Sequence, residues 1–149
     1  MTSTNPQLGR FRLGRKEVIR LQSPDGTDVE GLLLKPVGCK PGRRYPLPVY
    51  VHGGPAGVFS NTYDALAQGA YPIQVFAGRG YALLLPNPRG SCHYGERFRQ
   101  ANLRDRGKGD FEDILAGVDH LVGRGIADLG RLGIMGWSYG GYMTGWAIT

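Results

Sequence analysis

The sequence predicts an α/β protein with a mostly parallel β-sheet and flanking helices. Short apolar segments that end at glycine or proline indicate buried strands, and an amphipathic segment between two of them indicates a helix. The last strand runs directly into a glycine-rich turn. With 149 residues, 41% of them hydrophobic, the chain has room for one domain with a sizeable core.

The first predicted elements form a hairpin. Residues 1–15 are weakly patterned and are expected to be a tail or linker, so the domain is expected to span residues 16–149. Two extended runs, Val18 to Leu21 and Val29 to Leu34, flank the turn signal Ser23-Pro24-Asp25-Gly26. Two strands joined by a tight turn are therefore predicted.

Two buried strands follow. Leu47 to Val51 is short and apolar and ends at His52-Gly53-Gly54-Pro55, which predicts a strand that runs into a glycine loop. Tyr63 to Gly80 is predicted to be mostly helical, with an interruption at Pro72. Tyr81 to Leu85 is predicted to be the next strand.

A helix and a final strand precede the glycine-rich turn. Asp110 is placed to cap the helix, which is expected to end near Gly123-Arg124-Gly125. Arg131 to Met135 then predicts a short strand. The apolar positions that predict the helix recur at 3.6-residue spacing: Phe111, Ile114, Leu115, Val118, Leu121 and Val122.

Composition disfavours several classes of function. The net charge is +6, but the arginines of residues 97–106 alternate with acidic residues and no nucleic-acid motif accompanies them, so no nucleic-acid partner is expected. Cys39 and Cys92 do not have the spacing of zinc ligands, and neither a metal nor a cofactor is expected. The polar start and the lack of a long apolar run predict a cytoplasmic protein without a membrane partner.

The most informative motif is Gly136-Trp137-Ser138-Tyr139-Gly140-Gly141. A G-x-S-x-G sequence between a strand and a helix is typical of the nucleophile elbow of the α/β-hydrolase fold. Such turns also occur by chance, but the strand before this one and the helix after it favour a catalytic origin. Ser138 is then the predicted nucleophile, and the backbone N–H of Tyr139 is one predicted donor of the oxyanion hole.

The earlier glycine loop supplies the second predicted donor. In an α/β-hydrolase, a backbone N–H after an early strand completes the oxyanion hole, and Gly53 is the candidate. Gly54 would allow close approach, and His52 would shape the loop rather than act as the base. One alternative is an ordinary tight turn. Another is a triad of His52, an Asp and Ser138 in the order of chymotrypsin, but that class of enzyme is an all-β double barrel, whereas this chain has helical segments and parallel-sheet patterning.

These motifs together resemble the catalytic domain of the prolyl oligopeptidase family of serine peptidases, above all its acylaminoacyl-peptidase and dipeptidyl-peptidase branches. The resemblance implies an α/β-hydrolase domain that cleaves short peptides, with Ser138 as the acylated nucleophile and Tyr139 as an oxyanion donor. It extends from about Lys16 to Thr149 and rests on Ser23-Pro24-Asp25-Gly26, Tyr45-Pro46, His52-Gly53-Gly54-Pro55, Gly80-Tyr81, Asn87-Pro88-Arg89-Gly90-Ser91, Tyr94-Gly95, Gly109-Asp110 and Gly136-Trp137-Ser138-Tyr139-Gly140-Gly141-Tyr142.

The segment Tyr139 to Thr149 contains no Asp, Glu or His, whereas this fold places both remaining triad members after the serine. The chain is therefore expected to be the N-terminal part of the catalytic domain, truncated after the nucleophile elbow and inactive alone. The alternatives are a non-enzymatic binding or complementation half-domain, which could self-associate through its incomplete sheet, and an esterase or lipase of the same fold.

Overall fold

The computed structural model describes residues 6–62 and 71–149. Five strands form one sheet in the order β1-β2-β4-β3-β5, with helices on both faces. The strands are β1 (Lys16–Gln22), β2 (Asp28–Leu34), β3 (Tyr45–Val51), β4 (Leu83–Asn87) and β5 (Ala127–Gly136). The helices are α1 (Ile73–Gly78), α2 (Glu96–Gln100), α3 (Gly109–Gly123) and α4 (Tyr139–Ala147), and a 3₁₀ turn spans Pro6–Arg10.

The sheet is mixed. Strand β2 is antiparallel to both β1 and β4, whereas β3 is parallel to both β4 and β5. The predicted parallel pairing therefore describes the half of the sheet that ends in the glycine loop and the serine turn. The other half is antiparallel because β1 and β2 are joined by a tight turn, in which the N–H of Gly26 donates to the carbonyl of Ser23 at 2.8 Å.

The register of β3 on β5 brings the two glycine-rich segments together. Val51, the last residue of β3, pairs with Gly136, the last residue of β5. Because parallel strands end at the same edge of a sheet, the loop that begins at His52 and the turn that begins at Trp137 leave the sheet side by side.

Successive residues of the central strands pack into two cores on opposite faces, as strand geometry requires. Leu33, Leu84 and Val49 lie on the face covered by α3 and α4. Leu32 and Leu83 lie on the face covered by α1. The two helices that carry or support the serine turn therefore share one core with β3 and β4.

Most predicted elements lie within three residues of the observed ones, whereas the 3₁₀ turn Pro6–Arg10 and helix α2 have no predicted counterpart. Two predicted elements differ more. Only Ile73–Gly78 of the predicted helical stretch 63–80 is helical among the described residues, and residues 63–70 lie outside them. Strand β5 begins at Ala127, four residues before the predicted start. No helix in the described part of the chain is both long and apolar enough to span a bilayer.

Candidate active site

Ser138 occupies a sharp turn between β5 and α4. Its backbone has φ 58° and ψ −119°, a left-handed conformation that costs a non-glycine residue about 1–3 kcal/mol. The turn is held by close packing, because a Cβ at Gly140 would lie 2.1 Å from the carbonyl oxygen of Val51. The first turn of α4 therefore rests directly on the end of β3, and the serine side chain is exposed.

Gly53 lies against this serine. A Cβ built at Gly53 would be 3.2 Å from the Cβ of Ser138 and 3.7 Å from its Oγ. The glycine loop and the serine turn thus form one site, and the lack of a side chain at Gly53 leaves space beside the hydroxyl.

Two backbone N–H groups are available at this site. Tyr139 is the first residue of α4, so its N–H has no intrahelical acceptor and lies at the positive end of the helix dipole. Within the part of the chain that the structure describes, the N–H of Gly53 has no acceptor either. Backbone N–H groups without a protein acceptor are the kind of donor that stabilises an oxyanion.

His52 supports the glycine loop and is not bonded to the serine. Its side chain is buried, with Nδ1 3.0 Å from the carbonyl oxygen of Gly53 and Nε2 2.9 Å from Oγ of Ser91. Burial lowers its pKa below the usual value. The N–H of Gly57 also donates to the Gly53 carbonyl at 3.1 Å, so the peptide between Gly53 and Gly54 is held by a hydrogen bond within the loop.

Gly54 makes the next bend of the same loop. Its φ is +126°, and a Cβ there would lie 2.3 Å from the backbone nitrogen of Ala56. Only glycine fits this position, since both the dihedral angle and the close approach exclude a side chain.

Sequence reasoning missed one buried group beside the site, Asp110. Its predicted role as the cap of α3 is wrong: α3 begins at Gly109, Lys108 occupies the N-cap position, and no side chain bonds there. The Asp110 carboxylate instead accepts hydrogen bonds from the N–H of Gly107 at 2.8 Å and from the hydroxyl of Tyr139.

The spacing of residues along α3 indicates that the side chain of Asp110 is buried. Asp110 lies four positions before Ile114, and Asp113 lies four positions before Gly117, so both carboxylates fall on the helix face that contains these two residues and Leu121. All of these residues are buried. Carboxylates on the apolar face of a helix indicate specific buried partners, because an unpaired buried charge is costly.

No histidine of the described residues is hydrogen-bonded to Ser138. His93 is exposed in a loop, and His120 lies half-buried on α3. The described residues also contain no cluster of His, Cys, Asp and Glu side chains that could hold a metal ion. Among the described residues, the candidate site therefore combines the Ser138 hydroxyl with two backbone N–H groups that have no protein acceptor.

The fold and the turn define the class of protein, an α/β-hydrolase. The model of the prolyl oligopeptidase family matches residues 68–149, more than half of the sequence, and the chain belongs to this family. Sequence reasoning had inferred both the fold and the family from the same motifs, and both are confirmed.

Three relatives illustrate the match. The chain is 38% identical over 150 residues to the uncharacterized peptidase YuxL of Bacillus subtilis (strain 168), covering 99% of this chain and 22% of that protein. It is 33% identical over 130 residues to dipeptidyl peptidase 8 of Homo sapiens, covering 86% and 14%. An acylaminoacyl peptidase of Pyrococcus horikoshii superposes with a TM-score of 0.85 at 36% identity, covering 99% and 23%. The chain thus spans less than a quarter of the length of each of these relatives.

Proposed function

We propose that this chain supplies the nucleophile and the oxyanion hole of a serine peptidase that cleaves short peptides. The observation that carries the proposal is the contact between Gly53 and Ser138, which joins a strained serine turn to a glycine loop in a member of a peptidase family. The peptidase and acylaminoacyl or dipeptidyl names of the relatives support a peptide substrate.

The proposed reaction begins with attack of the Ser138 hydroxyl oxygen on the scissile carbonyl carbon. The carbonyl oxygen becomes an oxyanion, which accepts hydrogen bonds from the N–H groups of Tyr139 and Gly53. Collapse of this intermediate breaks the peptide bond and leaves an acyl-enzyme on Ser138, which water then hydrolyses. A base must take the serine proton and return it to the leaving amine.

The base of this reaction has to come from outside the 149 residues. Both ring nitrogens of His52 are engaged away from Ser138, and the segment after the serine contains no Asp, Glu or His. We propose that the chain alone hydrolyses no peptide, since loss of the histidine in worked protease cases lowers kcat about a millionfold.

A chimaera tests the function. Residues 16–149 would replace the matching segment of the Pyrococcus horikoshii acylaminoacyl peptidase, whose remaining chain would supply an acid and a base. We expect hydrolysis of N-acylated or dipeptidyl anilides, and loss of that activity in the Ser138→Ala chimaera. A folded chimaera without activity would contradict the proposal.

The same chimaera separates peptidase from esterase chemistry, because both use the same elbow. A peptidase should hydrolyse the amide as well as the matching, more reactive ester. Turnover of p-nitrophenyl esters without any amide hydrolysis would favour an esterase.

The edge of the sheet supports a second candidate, a half-domain that associates with another chain. Strand β5 pairs only with β3 among the described strands. Leu129 on β5, Trp137 in the serine turn and Ile148 after α4 are 63%, 70% and 78% exposed. An open strand beside exposed apolar side chains favours pairing with a further strand.

Light scattering tests this association. We expect the isolated chain to form oligomers, and the Leu129→Lys, Leu132→Lys double variant to shift them toward monomer. Val75→Lys, at an equally apolar and exposed position on α1, is the matched control. A parent chain that is monomeric at all concentrations would exclude self-association.

A further inference from the structure

The hydrogen bond between Tyr139 and Asp110 joins the serine turn to the start of α3. Asp110 is 1% exposed, and its carboxylate accepts from the Tyr139 hydroxyl and from the N–H of Gly107. Burial and the adjacent carboxylate raise the pKa of Tyr139, so the phenol keeps its proton and remains the donor in this bond.

The carboxylate is itself held in place. Three residues after it on α3, Asp113 is completely buried and accepts hydrogen bonds from the backbone N–H, Nε and Nη2 of Arg89 at 2.7, 3.0 and 2.7 Å. A Cβ at Gly109 would lie 2.8 Å from Nη1 of Arg89, so the helix starts in direct contact with that arginine. Asp110 is therefore carried by a fixed helix end.

The segment before α3 packs against side chains of α4. A Cβ at Gly107 would lie 2.8 Å from Cε2 of Trp146 and 3.0 Å from the hydroxyl of Tyr142. The rings of Tyr139 and Tyr142 are 5.3 Å apart. Asp110 therefore links the segment before α3 to the first turn of α4, since its carboxylate accepts hydrogen bonds from the N–H of Gly107 and from the hydroxyl of Tyr139.

We propose that Asp110 is a positioning residue of the oxyanion hole: by holding the Tyr139 hydroxyl, it fixes the direction of the Tyr139 backbone N–H toward the attacked carbonyl. The peptide between Ser138 and Tyr139 follows a residue with φ 58°, a strained conformation that persists only where the surrounding structure holds it. The carbonyl of this peptide accepts a hydrogen bond from the N–H of Tyr142 at 3.1 Å, and the side-chain bond to Asp110 adds a second restraint because it anchors Tyr139 beyond the peptide. This role rests on the proposed function of the N–H as an oxyanion donor.

Kinetics in the chimaera described above test this role. Tyr139→Phe keeps the ring and the backbone N–H but removes the bond, and Asp110→Asn removes the charge. We expect each to lower kcat about tenfold with KM unchanged, less than the hundredfold or more that follows loss of a donor. Because both substitutions act on the same hydrogen bond, the double variant should have the same kcat as each single variant.

Tyr142→Phe is the matched control, since its hydroxyl has no hydrogen-bond partner among the described residues and its ring belongs to the same stack. It should keep the parental kcat. Titration of active sites with a fluorophosphonate corrects for any misfolded fraction. An unchanged kcat in Tyr139→Phe, additive losses in the double variant, or an equal loss in Tyr142→Phe would each overturn the role of Asp110.

Amide hydrogen exchange in the 149-residue chain gives a readout that does not depend on activity. We expect faster exchange of the Gly140 amide, which donates to the carbonyl of Trp137 at 3.0 Å, in Tyr139→Phe than in Tyr142→Phe, and equal rates would contradict the restraint. If the parental chimaera is inactive while this exchange difference appears, the proposed function fails and the restraint stands. If the chimaera is active and the difference is missing, only the role of Asp110 fails.

Discussion

At the residue scale, the site depends on a few positions where a side chain would collide with the backbone. Gly140 is the clearest of them, because its α-carbon lies beside the carbonyl of Val51 at the end of β3. This packing places Ser138 beside the C-terminal ends of β3 and β5. It explains in physical terms why the turn requires a small residue two positions after the serine.

Gly140→Ala should therefore destabilise the chain by about 2 kcal/mol or more, since overpacking at a rigid backbone contact has no flexible neighbour to relax it. Gly145→Ala is the control in the same helix, because nothing lies within 4 Å of its added Cβ. That change should stabilise the chain by about 0.5–1 kcal/mol. Urea unfolding of both variants measures the difference, and equal effects would contradict the packing of the turn on β3.

His52 predicts a dependence of stability on pH. Its folded pKa is lowered by burial, so the unfolded chain takes up a proton near pH 6.5 at which the folded chain does not. The free energy of unfolding should consequently decrease as the pH falls from 7.5 to 5.5. Burial also lowers the pKa of His120, which contributes in the same direction.

The measurement compares urea unfolding at the two pH values. The His52→Gln variant should be less stable than the parent at pH 7.5. Its free energy of unfolding should decrease less than that of the parent when the pH falls from 7.5 to 5.5. His93→Gln, at an exposed loop position, should keep the parental difference. A His52→Gln chain with the same pH difference as the parent would show that the buried ring does not titrate differently on unfolding.

At the element scale, one arginine joins three segments of the chain. Arg89 follows β4, binds Asp113 on α3 and also donates to Asp25 in the turn between β1 and β2 at 2.7 Å. The pair with Asp113 is buried, with side-chain exposures of 10% and 0%. Arg89 therefore fixes α3 relative to the antiparallel half of the sheet.

Asp113→Asn should lower the free energy of unfolding by about 3 kcal/mol, because it removes the buried counter-charge of Arg89 and leaves that guanidinium paired only with the more exposed carboxylate of Asp25. Glu96→Gln removes the exposed ion pair with Arg99 and should change stability little. Thermal unfolding of the two variants distinguishes the pairs. Equal shifts in Tm for Asp113→Asn and Glu96→Gln would mean that the buried ion pair contributes no more to stability than the exposed one.

Sequence predicted the elements well where local pattern determines them. The run Leu47 to Val51 and the spacing behind Phe111 gave β3 and α3 because apolar periodicity is a local property. The mixed sheet and the pairing of Val51 with Gly136 depend on contacts between distant segments. The bond from Asp110 to Tyr139 likewise spans 29 positions, and a local capping pattern predicted the wrong partner for that carboxylate.

At the scale of the whole molecule, the candidate nucleophile lies beside the sheet edge that is formed by β5. The serine turn and the glycine loop lie together at the ends of β3 and β5, while β5 has no second neighbour in the described sheet. Both observations lead to the same expectation, since the triad partners of this fold follow the serine strand in sequence. Peptidase activity should therefore require chain beyond these 149 residues.

Fluorophosphonate labelling followed by mass spectrometry tests this central claim most directly. The isolated chain should remain unlabelled at Ser138, because no base activates its hydroxyl, whereas the chimaera should be labelled at Ser138 and at no other serine. Rapid stoichiometric labelling of the isolated chain, or labelling of the chimaera at another residue, would contradict the account.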